Sequence, residues 1–194
     1  MRYDPEHKQR TRRLVLKQAA AAIRQDGPDK VAVAALMAKA GLTHGGFYAH
    51  FKSKDELVGQ AIATMFETQL GVLEETTHAL PPDRGLVAYV EKYLSVKHRD
   101  HREQGCPVAA LSSDVARMDE TARKYFDAGL DGMIDRLAGL IGALPRDNAR
   151  ELAISVFSEM VGAMGMARSV TDPGFSEKIL KVAKKNVLGR LGLG

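Results

Sequence analysis

Tyr48, His50, Lys52 and Lys54 place four hydrogen-bond donors within seven residues, directly after Thr43, His44, Gly45 and Gly46. Donors clustered in this way suit the oxygens of a phosphate backbone. The two adjacent glycines cost about 1 kcal/mol each relative to alanine if they sit in a short helix. Alone, the dipeptide would mark a loop. A backbone that must approach a base edge or a phosphate offsets the cost, because glycine lacks the Cβ that would hold the two surfaces apart. The implied chemistry is binding. Outside this segment no nucleophile–base pair or carboxylate pair can be assembled, so the chain does not read as an enzyme.

The elements that must position these side chains follow from the flanking sequence. Ala34 to Ala40 is rich in strong helix formers, and Gly41 lies just past its end, where a left-handed residue usually stops a helix. Thr43 reads as the N-cap of a second helix, His44 to His50. Phe47 and Phe51, four apart, face Leu36 and Ala40, which turns His44, Gly45 and Tyr48 outward. Ser53 and Glu56 form a capping box that opens a third helix, expected to run to about His78 and to be stopped by Pro81-Pro82. A short helix, a glycine turn and a second short helix make the helix-turn-helix order that lays one helix in the major groove of DNA. Residues 1–60 hold 11 Lys/Arg against 6 Asp/Glu, a net of +5, and the remainder holds 17 against 18. Such segregated charge fits phosphate attraction at one end only. Lys8, Arg10, Arg12, Arg13 and Lys17 precede or open an amphipathic helix built on Leu16, Ala19, Ala20 and Ile23. Beside a helix-turn-helix, Arg13 reads as a phosphate contact.

The run from Gly41 to Leu57 resembles the recognition helix and the start of the fourth helix of the TetR family of bacterial transcriptional repressors. The resemblance covers roughly Lys8 to Phe66; beyond it only length and helical layout are similar. It implies that Tyr48, His50 and Lys54 hold phosphates and that the protein represses transcription. The chain departs from the family pattern at the start of the second helix, where many members carry Thr or Ser and a polar base reader. Val31, Ala32, Val33 and Ala34 stand there and leave fewer side chains to read sequence.

With 194 residues, 45% of them hydrophobic, the chain can bury a substantial core. It has no apolar run of 18 residues and no signal-peptide pattern, and its single cysteine admits no internal disulfide. A cytoplasmic protein that does not enter membranes is expected. Further helices are expected at approximately Gly85–His101, Val108–Ala116, Glu120–Ala143, Asn148–Val170 and Gly174–Leu191, with no strand. The expected fold is therefore all-α: a DNA-binding module, residues 1–55, joined by a long helix to an effector-binding and dimerisation domain, residues 56–194.

The helix from Asn148 is apolar nearly all round, so it needs cover on two sides. Val156, Phe157, Met160 and Met164, with Ile179, Val182, Ala183 and Val187 of the last helix, are candidates for a four-helix homodimer interface. Phe66, Leu70, Tyr89, Tyr93 and Phe126 could line an adaptable pocket together with Met118, Met133, Met160 and Met164, although residues of these types at such spacing are more often simply core. The partners expected are double-stranded operator DNA, a second copy of the chain and a largely apolar small-molecule effector. Cys106 reads first as a buried, inert cysteine; because it follows Lys97, His98, Arg99, His101 and Arg102 and precedes a helix, which favours thiolate, an electrophile- or oxidant-sensing cysteine is an alternative, as is a constitutive DNA-binding protein without an effector. His98 and His101 read as solvated surface, and neither a metal nor a cofactor is expected.

Overall fold

The computed structural model describes residues 5–41, 43–145 and 147–194, with only the backbone of Pro5 and His44. Every regular element among them is helical. The N-terminal part comprises α1 (Pro5–Asp26), α2 (Val33–Lys39) and a 3₁₀ turn (His44–Ala49). The long α3 (Lys54–Thr77) leads to α4 (Pro82–Tyr93), the short α5 (Val96–Asp100) and a second 3₁₀ turn (Arg102–Gln104). The chain then forms α6 (Pro107–Val115), α7 (Glu120–Gly142), α8 (Ala149–Ser169) and α9 (Pro173–Arg190).

Local sequence sets most of these boundaries. Ser53 Oγ accepts the Glu56 N–H at 3.0 Å, and a carboxylate oxygen of Glu56 accepts the Lys52 N–H at 2.6 Å, which closes the start of α3. Asp119 caps α7 through the Ala122 N–H, and Asp172 caps α9 through the Gly174 N–H. Pro82, Pro107 and Pro173 occupy first helical positions, where the missing N–H costs nothing.

The single helix expected over Gly85–His101 is two. Ser95 Oγ donates to the Lys92 carbonyl at 2.8 Å and accepts the His98 N–H at 3.1 Å, so one hydroxyl ends α4 and starts α5.

α3 lies along α7, α8 packs on both α7 and α9, and α1 crosses α3 and reaches the second 3₁₀ turn and α6. The sequence boundary at residues 55 and 56 falls within the first turn of α3, which continues unbroken from the N-terminal elements into the bundle. Among the described residues no helix is long and apolar enough to cross a membrane.

Candidate nucleic-acid interface and buried cavity

Gly41 ends α2 with φ +72°, a left-handed conformation that glycine adopts without strain. The next helix is a 3₁₀ turn, and this changes the role of Thr43. The Gly46 N–H is taken by the Thr43 main-chain carbonyl at 3.0 Å, and the Thr43 side chain does not cap the helix. In tighter winding the carbonyl three residues back does what the hydroxyl was expected to do. Phe47 and Phe51 are buried with ring centroids 5.6 Å apart, while Tyr48 stands 71% exposed, edge-on to Phe47.

Gly45 faces open space; a Cβ on Gly46 would lie 3.7 Å from the Thr43 hydroxyl. Arg13, Thr43, Gly45, Lys52 and Lys54 are exposed, and the His44 side chain lies outside the described residues. Lys54 Nζ donates to the Asp29 carbonyl at 3.3 Å, tying the start of α3 to the loop before α2. His50 is half-buried with Nδ1 turned inward and unpartnered; burial first, then the Lys8 and Arg12 cations, hold its pKa below the usual value.

The sequence reading did not single out the strut behind this face. Arg12 Nη2 donates to the Gln60 side-chain oxygen, Arg12 Nε reaches the His50 carbonyl at 3.4 Å, and the guanidinium lies 5.2 Å from the Phe51 ring centre. Gln60 in turn donates to Glu56 at 2.7 Å. Arg12 thus joins α1 to the capped start of α3 and to the turn between them.

Between α3, α4, α5 and the second 3₁₀ turn lies a cavity of about 540 Å³, within the range of small-molecule sites. Val72 and the rings of Tyr89 and Tyr93 supply its apolar wall, and Gln69, Lys97 and His98 supply polar groups. Tyr89 and Tyr93, 2% and 3% exposed, have buried hydroxyls without an oxygen or nitrogen partner. That of Tyr93 comes up against the Cys106 thiol.

The other expected pocket residues are placed differently. Phe66 and Phe126 meet edge to face at 5.4 Å inside the core, Met133, Met160 and Met164 are buried there, and Leu70 packs against it half-buried. Met118 borders a separate cleft with Pro28 and Lys54. Flexible methionines at helical spacing are satisfied by packing within the bundle, and periodicity alone could not separate that from a cavity wall.

His98 is not the solvated histidine expected. It is half-buried: Nδ1 donates to the Tyr93 carbonyl at 2.7 Å, and Nε2 accepts the Cys106 N–H at 3.0 Å. Burial, aided by Arg168 and Arg24, lowers its pKa to about 4, so the ring is neutral. Cys106 is buried, as its first reading had it, and desolvation pushes its thiol above the ordinary value despite hydrogen bonding and the nearby Arg168. Thiolate, on which the sensing alternative depends, is disfavoured.

Two arginines flank this site. Arg24 of α1, 5% exposed, donates to the Glu103 and Met65 carbonyls, both at 3.2 Å. Arg168 of α8 donates to the His98 carbonyl at 2.9 Å and the Arg99 carbonyl at 3.2 Å. Each keeps one buried nitrogen unpartnered. Gly105 admits the approach of Arg168, because a Cβ there would sit 2.7 Å from its Nη2 and 3.1 Å from His98 Nε2.

On the far side, α8 and α9 carry an apolar groove of about 500 Å³, with Met166, Phe175 and Val182 exposed by 56%, 52% and 50% and Ile179 half-buried beside them. Val156, Phe157, Met160, Met164, Ala183 and Val187, expected at the outer face, are buried in the chain's own core. A helix apolar nearly all round does not reveal which stripe its own domain takes.

Comparison with known proteins places this arrangement. Residues 15–61 match the family model described as bacterial regulatory proteins, tetR family. An uncharacterized HTH-type transcriptional regulator of Mycobacterium tuberculosis is 26% identical over 160 residues, 77% of this chain and 80% of that protein. A TetR transcriptional regulator from Chloroflexus aurantiacus superposes with a TM-score of 0.80 at 22% identity, covering 96% of each chain. E. coli NemR in its reduced form superposes equally well, at 20% identity over 92% of this chain and 95% of that one. At these identities the solved structures establish the fold.

Proposed function

Because this chain belongs to the TetR family and is a DNA-binding transcriptional regulator, we propose that it is a one-component repressor, acting as a cytoplasmic homodimer and released from its operator by a small molecule. In this reading residues 1–55 hold the DNA. Tyr48, Lys52 and Lys54 contact phosphates, and Gly45 lets the backbone approach the duplex. Residues 56–194 supply the effector cavity and the partner surface, formed by the exposed stripe of Met166, Phe175, Ile179 and Val182.

The observation that carries effector release is the double grip on the segment from Glu103 to Cys106. Arg24, on the first helix of the DNA-binding part, holds the Glu103 carbonyl. From the cavity side, Gln69 Nε2 donates to the Gln104 carbonyl at 2.9 Å and His98 holds the Cys106 N–H. A ligand that shifts His98 or Gln69 therefore pulls on the same short segment that anchors α1. It changes operator affinity only to the extent that it binds one position of the DNA-binding part better than the other.

The test is to select an operator from a random DNA pool with the purified protein, then to titrate small molecules against the complex by fluorescence anisotropy while following the dimer by light scattering. Loss of DNA with the dimer intact supports the reading. A broad panel that never changes affinity leaves a constitutive DNA-binding protein. A thiol sensor is the second reading: Cys106, although buried with its thiolate disfavoured, lies against Tyr93 of the cavity wall. A response that survives Cys106→Ser removes it.

A further inference from the structure

Behind the cavity wall, outside its lining residues, lie the buried Arg24 and the half-buried Arg168. Among the described residues neither Arg24 nor Arg168 has a carboxylate within ion-pair distance; their partners are main-chain carbonyls. A buried cation without a counter-ion is costly, because carbonyl dipoles return only part of the lost hydration. The neutrality of His98 belongs to the same balance, since both arginines act against its protonation.

The cavity wall continues the pattern. Lys92 and Lys97 stand at its mouth, and none of the described residues lining it is Asp or Glu. Two tyrosines more than nine-tenths buried border it; the Tyr89 hydroxyl lacks a partner, while that of Tyr93 bonds the Cys106 thiol. The remaining wall, Val72 and the two aromatic rings, is suited to an apolar body.

We propose that this cavity binds an amphipathic organic anion, a carboxylic acid whose apolar body lies against Val72, Tyr89 and Tyr93 and whose carboxylate meets Lys97, Lys92 and the Tyr89 hydroxyl. The inference rests on the effector reading above and narrows it: the ligand is an acid, where the sequence suggested a largely apolar molecule. The anion answers the positive charge that Lys92 and Lys97 bring to the wall, reinforced by Arg24 and Arg168 behind His98, and an uncharged molecule of the same shape does not.

Matched pairs separate the possibilities. The full-length protein is titrated calorimetrically with 2-naphthoate and 2-naphthamide, and with decanoate and decanamide, and operator affinity is measured with each. The acid of at least one pair should bind about tenfold more tightly than its amide, the difference expected of a charge-assisted contact. The variant Lys92→Gln/Lys97→Gln, both surface residues, should erase that difference and leave amide binding unchanged; its circular dichroism reports the fold. The lysine dependence also distinguishes the cavity from anions gathered on the basic DNA face. Amides binding as tightly as acids, or an acid preference indifferent to the two lysines, overturns the anion site while any release of DNA preserves the effector reading. A lysine-dependent acid preference without release of operator upholds the site and overturns the effector reading. No binding and no release by any of the four compounds overturns both.

Discussion

Replacing Arg24 by methionine should change stability by less than about 1 kcal/mol, although the residue is buried and makes two long-range hydrogen bonds, because large terms nearly cancel. Burial lowers the arginine pKa from its ordinary value to about 10, so its charged form is disfavoured in the folded protein by on the order of 3 kcal/mol. Both hydrogen bonds are 3.2 Å long, at the far end of the usual range, so the pair returns about 3 kcal/mol at the lower bound for charged donors. Methionine removes both terms and keeps most of the aliphatic stem. Arg24→Ala also removes the stem, about two methylenes at roughly 0.8 kcal/mol each, and leaves a cavity, so it should cost about 2 to 3 kcal/mol. The assay is urea denaturation followed by circular dichroism at pH 7, at one fixed protein concentration so that dimerisation contributes equally to all three proteins. If methionine proves as damaging as alanine, or worse, the guanidinium is a net stabiliser with its charge satisfied, and Arg24 adds no uncompensated positive charge behind the anion site.

His98→Gln should flatten the acid limb of the stability curve. A folded pKa of about 4 against 6.5 means that the unfolded chain takes up a proton that the folded chain refuses. Stability from this group is therefore complete above pH 6.5 and falls by about 3 kcal/mol as pH drops towards 4, a slope the variant should lack in denaturation at pH 7 and pH 5. Tyr48→Phe and Lys54→Ala should weaken binding to every DNA sequence alike, and Lys54→Ala should lower the slope of log affinity against log salt by about one; unchanged affinity in both would end their assignment to phosphate. Val182→Glu, on the exposed α9 stripe, should give folded monomers by light scattering, whereas Met160→Glu should unfold the chain because it buries a charge in the core. A folded Met160→Glu dimer would contradict the burial described here.

The helix-turn-helix was legible because its signals are local. Gly41, the Ser53–Glu56 cap and the Phe47–Phe51 spacing each act within a few residues, and the structure differs there only in winding the second helix as 3₁₀. The α4–α5 break was legible in principle, since Ser95 can cap, but serine also sits within helices, and only the two bonds it makes decide the matter.

The cavity was hidden for a different reason, and its signal lies in the helical registers. Arg24 occupies the next position of the stripe that runs through Leu16, Ala20 and Ile23, four residues after Ala20. Arg168 follows Met160 and Met164 at intervals of four, and Gln69 stands between Met65, Phe66 and Leu73 on the buried side of α3. Counting charge assigns such residues to solvent; counting period assigns them to the interior. The two rules disagree only where a polar side chain is buried, and there the period prevails because the helix cannot turn one residue outward without turning its apolar neighbours with it. A polar residue that interrupts an apolar stripe is consequently the place to look for a group that must bond within the protein or to a ligand. In this chain three such interruptions, on α1, α3 and α8, converge on the peptide groups from Met65 and His98 to Gln104, which is why the site joins the DNA-binding part to the bundle.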